Sequence, residues 1–503
     1  MKPETGKSYK ELHEKWFYLI IALLSAYLII RLIDESNIIT NFPFDFTNDI
    51  SSHMAKLYFL AEFGFRSVVH YWYNGYDLFR FYPPGWFFFT LPIYLILKNV
   101  QLSTYISMIS IYVLSLTFFL ILGKKLDITW KKSILFFLFF LANPIAMGNF
   151  LRVGRLPELL SWAFFIPFFT IILLYKDKPI DKKFFLISII GSLLLLSHQT
   201  VFILASSMFI SLIIIRIIAR KNTGNIYKIL LSMLLIVVLT SFWTIPFVLG
   251  YEQTSIANYN FSERYFNFSG PLLLESLTSI FVTLSFIIIL YMNRENEKNK
   301  RNFYFFLPQL ALAIIILTNV IVFIPILNKI HPDAYNTLFI FLSSFLLLKT
   351  KFSIKQRKAL IISLNLLVVI SIIMSITYTP WFIKNNDTDK STIKLFKSVD
   401  GKFVILKSES SYAKAYYSYA PIFYQISTPS GWSHQEISQD YINDIKAINE
   451  NFEKNDCDAF RKSLKKVNTT EVISYKDNCK KLETCNLKEK ASDKDACLYT
   501  LKD

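Results

Sequence analysis

WFYLIIALLSAYLIIRLI, residues 16–33, is apolar for almost its whole length. As a helix rising 1.5 Å per residue it reaches about 27 Å, close to the ~30 Å of a bilayer's hydrocarbon core. Similar runs recur near 83–98, 103–122, 133–150, 157–175, 184–198, 200–219, 229–249, 271–291, 303–325, 334–348 and 359–379. They lack the alternation of barrel strands, and in lipid only helices or closed barrels satisfy the backbone. With 53% hydrophobic and 17% aromatic residues among 503, the chain reads as an all-α polytopic membrane protein.

The net charge of +17 does not point to nucleic acid, because its placement explains it. The loops GKKLDITWKK (123–132), KDKPIDKK (176–183), RIIARKNTGNIYK (216–228), NRENEKNKR (293–301) and KTKFSIKQRK (349–358) hold 21 Lys/Arg against 5 Asp/Glu. Loops at the opposite helix ends hold few: Arg152, Arg155, Arg264 and Lys329. Basic loops face the cytoplasm. Lys2, Lys7, Lys10 and Lys15 precede the first run without a cleavage site, so that run reads as an uncleaved anchor with the amino terminus cytoplasmic.

Cys457, Cys479, Cys485 and Cys497 all lie in the last fifty residues, without a CxxC pair. An even count in a polar segment predicts two disulfides with three connectivities, which places the carboxyl terminus outside; free thiols in a cytoplasmic tail are the alternative. Twelve crossings would bring both ends to one side. The segment 83–98 is the weakest, opening with Pro83-Pro84-Gly85 and interrupted by Pro92. If it only dips into the membrane, about 11 crossings remain. The sequons at Asn260, Asn267, Asn386 and Asn468 then also fall outside. The expected division is a transmembrane domain over 1–381, with an outer loop at 34–82, and a small extracytoplasmic α+β domain over 382–503. In that tail 401–408 reads as a strand and 441–454 as an amphipathic helix.

Ionisable residues near helix ends gather on the outer side. Asp45, Asp49, His53 and Lys56 open the first loop; Tyr82 closes it; Arg152, Arg155 and Glu158 sit between two helices; His198 ends one run and His331 begins another. Asp49, His53 and Lys56 are spaced to share one face of a helix beginning near Asn48. Residues 54–73 continue as an amphipathic helix lying in the interface. Asp49 also fits a capping acid, and the arginines fit interfacial snorkelling. Together, a carboxylate able to take a proton and cations able to stabilise a departing phosphate suit transfer from a lipid-borne phosphosugar.

These residues resemble the GT-C superfamily of membrane glycosyltransferases. DISSHMAKLYFLAEFG (49–64) looks like the first outer loop of oligosaccharyltransferases and protein O-mannosyltransferases, and YWYNGYDLFRFYPPG (71–85) is similar to the aromatic run that follows it. The chain also resembles prokaryotic membrane proteins labelled 6-pyruvoyl-tetrahydropterin synthase-related. The matching positions are Asp49, Ser51, His53, Lys56, Tyr76, Phe79, Tyr82, Pro83 and Pro84, then Gly154 to Glu158, Leu196 to Gln199, and Gly431, Trp432 and Gln435. No histidine cluster for pterin chemistry is present.

The resemblance implies a polyprenyl-phosphate sugar donor and Asp49 as catalytic base. His53 and Lys56 then belong beside the donor phosphate, with Arg152, Arg155 and His198 contacting phosphate or sugar. Asp45, Tyr82, Glu158, His331 and Trp432 take supporting roles, Trp432 stacking on a sugar or anchoring the tail. The chain has Asn48-Asp49 where protein O-mannosyltransferases have an acid pair, and lacks the W-W-D tail motif. The glycan or protein acceptor and metal dependence therefore do not carry over. A divalent cation, if used, would fall to Asp45 and Asp49. A transporter or flippase of lipid-linked sugars and a non-catalytic envelope-glycan assembly factor are the alternatives.

Overall fold

A computed structural model describes residues 5–43, 48–218, 226–257, 260–270, 272–293, 301, 303–350, 366, 368–373, 375–377, 381–384, 386–406, 413–432 and 434–501. Asp45 and most of three basic loops, 216–228, 293–301 and 349–358, lie outside these residues. Helices dominate: α1 (Thr5–Thr40), α2 (Asn48–Phe63), α3 (Gly85–Leu97), α4 (Val100–Lys125), α5 (Trp130–Leu141), a one-turn α6 (Pro144–Ala146) running into a π-helix (Met147–Arg152), α7 (Leu156–Tyr175), α8 (Leu186–Ser197), α9 (Gln199–Ile218), α10 (Ile226–Gly250) and α11 (Leu272–Met292). Further helices cover Leu307–Leu317 and Pro332–Lys349.

Among the described residues, six helices are long and apolar enough to cross a membrane: Phe17–Thr40, Val100–Lys125, Leu156–Tyr175, Gln199–Ile218, Ile226–Gln253 and Leu272–Met292. Trp130–Leu141 and Pro144–Arg152, bent by 48°, make up to seven. These account for six or seven of the eleven expected crossings. The other apolar segments form shorter helices, and 359–379 lies largely outside the described residues. α3 has 13 residues, about 20 Å, too short for a hydrocarbon core unaided.

The first outer loop departs from expectation. The helix expected through residue 73 stops at Phe63, because Gly64 takes a left-handed conformation (φ 84°) that favours glycine. The chain then makes a small hairpin, β1 (Val68–Val69) antiparallel to β2 (Tyr76–Asp77). Nor does α2 lie at a surface: every residue from Ile50 to Leu57 is buried, polar ones included. It packs between α3 and a helix of the carboxyl-terminal region, Ala413–Tyr424.

That region carries a four-stranded sheet, ordered β3 (Phe403–Ile405), β4 (Glu471–Tyr475), β6 (Ala496–Leu501), β5 (Leu487–Asp493). β3 runs parallel to β4 and the other pairs are antiparallel. Strand alternation splits the apolar residues between two faces. Phe403, Ile405, Ile473 and Leu498 meet Leu395, Tyr416 and Ala420; Val404, Val472 and Tyr499 meet Ile448, Phe452, Phe460 and Leu464. Cys457 bonds to Cys485 and Cys479 to Cys497, tying helices 457–466 and 477–484 to each other and to β6.

Candidate active site

α2 starts where it does because the 152–154 turn is stitched to its first residues. Asn48 Nδ2 donates to the Arg152 carbonyl at 2.9 Å, and the Asp49 amide donates to the Val153 carbonyl at 3.1 Å. Gly154 (φ 80°) closes that turn against Ile50; a Cβ there would stand 2.4 Å from Ile50 Cγ1 and 2.9 Å from its amide nitrogen. Gly154→Ala is therefore expected to lower the unfolding midpoint, by about 1–3 kcal/mol of stability. A variant as stable as wild type would mean that this turn does not set the start of α2.

Asp49, His53 and Lys56 do share one side of the helix, but their surroundings differ. Asp49 is half-buried, and its Oδ1 accepts from the Trp432 indole Nε1 at 2.9 Å. One turn deeper, His53 is enclosed by the rings of Tyr82, Trp86 and Phe87, with centroids at 6.0, 5.5 and 5.9 Å. Neither ring nitrogen makes a hydrogen bond of good geometry. Burial first, then the charges of Lys56 and His198, hold its pKa well below the usual histidine value, so His53 is neutral at pH 7.

Lys56 is deeper still. Its Nζ lies 2.7 Å from Glu436 Oε1, with the side chains 1% and 2% exposed, and 4.1 Å from the Tyr82 ring centroid. Tyr76 donates its hydroxyl to Glu436 Oε2 at 2.6 Å. Burial lowers the Lys56 pKa, and Glu436 and Asp49 oppose that shift. Both side chains are thus enclosed by protein, and the Lys56 ammonium is engaged by Glu436. The burial runs along α2 from Ile50 to Leu57, while Asp49 at its start stays half-buried.

The accessible charges form a separate band. Arg155 Nη1 lies 3.8 Å from Glu158 Oε2 and 3.6 Å from Asp333 Oδ2. Asp333 Oδ2 lies 2.9 Å from His331 Nδ1, and His331 Nε2 lies 2.9 Å from Arg264 Nη1. Glu275, in the first turn of α11, completes the band at 3.8 Å from His331 and 3.7 Å from Arg264. Arg155 and Arg264 keep 21% and 44% of their side-chain surface, enough to meet a ligand. The Asp49 charge acts on Arg155, and Tyr82 lies within reach of Asp49, Glu436 and Glu158.

Glu158 is buried and accepts from Trp162 Nε1 at 3.2 Å. His198 follows α8, whose end meets Gly85 so closely that a Cβ would stand 2.7 Å from the Leu196 carbonyl. Arg152 turns elsewhere: it lines a polar cavity with Arg31, Asp34, Glu35 and Ser375, and its charge acts on Glu35.

Glu436, Arg264, Glu275 and the Arg31–Asp34–Glu35 group were absent from the sequence-derived candidates. Glu35 and Glu275 carried a readable signal, an acid at the edge of an apolar run. Nothing local marks Glu436 as the partner of a lysine 380 positions away.

This arrangement sits in a multi-pass membrane protein whose fold is similar to that of solved oligosaccharyltransferase structures. The apo oligosaccharyltransferase of Archaeoglobus fulgidus superposes with a TM-score of 0.59 at 11% identity, over 92% of this chain and 69% of that one. Its complex with Zn and sulfate gives 0.55 at 11%, over 89% and 67%. Oligosaccharyltransferase AglB of the same organism, in complex with an inhibitory peptide and a dolichol-phosphate, gives 0.55 at 11%, over 91% and 69%. At such identity the likeness is one of fold. No family model and no curated protein sequence matches the chain.

Proposed function

We propose that this chain is a membrane glycosyltransferase, moving a sugar from a polyprenyl-phosphate donor to an acceptor on the extracytoplasmic face, with Asp49 as base. The observation that carries the reading is a half-buried Asp49 on α2 whose charge acts on the half-buried guanidinium of Arg155, in a chain whose fold is similar to that of an oligosaccharyltransferase. The acceptor heteroatom attacks the anomeric carbon. The carbon–oxygen bond to phosphate breaks, the phosphate leaves with the electron pair, and Asp49 takes the acceptor's proton. Arg155 and Arg264 supply the accessible positive charge for the leaving phosphate. Shared sequence patterns with the proteins labelled 6-pyruvoyl-tetrahydropterin synthase-related support kinship to that group.

The basic loops and the two disulfides support a cytoplasmic amino terminus and an extracytoplasmic tail, divided from the membrane part near 381/382. A divalent cation fits Glu275, His331 and Asp333. Their ligand atoms lie within 4.8 Å of one another, and Glu275 Oε1 is buried without a hydrogen-bond partner. One imidazole and two carboxylates suit such an ion, which would add charge stabilisation at the leaving phosphate. Protein equilibrated with Zn²⁺ or Mn²⁺ and desalted is expected to retain about one ion per chain by mass spectrometry, and His331→Ala to lose it. Equal metal content in both would exclude this set.

Buried Arg31, Asp34 and Glu35 in a spanning helix favour a second reading, transport of the lipid-linked sugar. Proteoliposomes carrying a radiolabelled polyprenyl-phosphate sugar and a mixed glycan and peptide acceptor pool separate the two. Transfer moves label from lipid to acceptor; transport changes only the leaflet that holds it.

A further inference from the structure

The carboxyl-terminal region reaches back across the first outer loop and ends on the base. Thr428 donates its amide to the Tyr71 carbonyl at 2.9 Å, and Tyr441 its hydroxyl to the Pro429 carbonyl at 3.0 Å. Gly431 lies so close to Trp72 and Tyr73 that a Cβ would stand 3.0 and 2.7 Å from their rings. Beyond it, Ser255 holds the segment from the other side, through Ser255 N to the Ile437 carbonyl at 3.0 Å and Oγ to the His434 carbonyl at 3.2 Å. Between these anchors stand Trp432, on Asp49, and Glu436, on Lys56. The segment is thus fixed at both ends and at its middle, and the indole N–H is aimed at one carboxylate oxygen.

We propose that Trp432 is a positioning residue for Asp49: its indole N–H clamps Oδ1 and so fixes the carboxylate's orientation toward the acceptor. This rests on the reading of Asp49 as base, and it gives Trp432 a role other than sugar stacking or membrane anchoring. An aspartate on the first turn of a helix has two free torsions, and a base works only when its lone pair points at the proton it takes. Among the described residues, Lys56, Tyr82 and Arg155 also feel the Asp49 charge. None of them has a hydrogen bond to Oδ1 comparable with that of Trp432.

A donor to the ionised form keeps a carboxylate ionised to lower pH. Trp432→Phe keeps an aromatic ring and removes the donor. The experiment is carbodiimide coupling of Asp49 in the full-length protein, quantified by peptide mass spectrometry across pH, since only the protonated acid couples. In Trp432→Phe the coupling midpoint is expected to rise by about one pH unit, with the acidic limb of transfer rising alongside it. An unchanged midpoint overturns the clamp.

Should Trp432→Phe not fold, the wild type labelled with 5-fluorotryptophan serves instead. One ¹⁹F resonance is expected to titrate, and to stop doing so in Asp49→Asn; no such resonance overturns the proposal. A shifted midpoint in a protein that transfers no sugar would sink the glycosyltransferase reading and leave the Trp432–Asp49 clamp standing. Normal transfer with an unshifted midpoint would sink the clamp alone.

Discussion

Lys56→Met is expected to destabilise the protein by about 3–5 kcal/mol, the usual cost of breaking a buried ion pair from one side. Glu436 would be left charged among Tyr73, Tyr76 and Tyr82, with one hydroxyl donor in place of an ammonium. Replacing both charges, Lys56→Met with Glu436→Leu, removes the uncompensated group and is expected to cost less than Lys56→Met alone. Unfolding midpoints of the four proteins in detergent complete the cycle. If Lys56→Met unfolds like wild type, or if the two single losses simply add, the pair is not the joint between α2 and the carboxyl-terminal region. The effect belongs to stability first. By freeing the 430–437 segment, it also loosens what holds Asp49.

Such a joint shows where the sequence stops being informative. The spanning helices were readable because hydrocarbon thickness sets their length, and runs such as 103–122 and 157–175 appear as α4 and α7 within a few residues. The strand at 403–405 and the helix at 439–453 were readable from period alone. An even number of cysteines was visible, while their pairing depends on how helix 477–484 lies against β6.

Residues 54–73 were read as a helix lying in the membrane interface because their pattern is amphipathic. The residues that cover the polar face of α2, Trp432 and Glu436, come from a segment some 380 positions away. Its end was misplaced for a local reason: the apolar pattern continues past Gly64, and only the glycine's left-handed turn separates helix from hairpin. The site divides the same way. Asp49, Arg155 and His331 stood out by residue type near helix ends. The enclosure of Lys56 and His53 is tertiary, and no spacing in 49–56 reports it.

The most direct measurement is transfer by Asp49→Asn in the proteoliposome assay, at matched protein level and folding. The substitution keeps the side chain's shape and its capacity to accept from Trp432, but an amide cannot take the acceptor's proton. A loss of about 10²–10⁴-fold is expected, the range supplied by a positioned general base. Wild-type transfer that persists undiminished in Asp49→Asn would contradict the account, reducing Asp49 to a helix-capping acid held by a tryptophan.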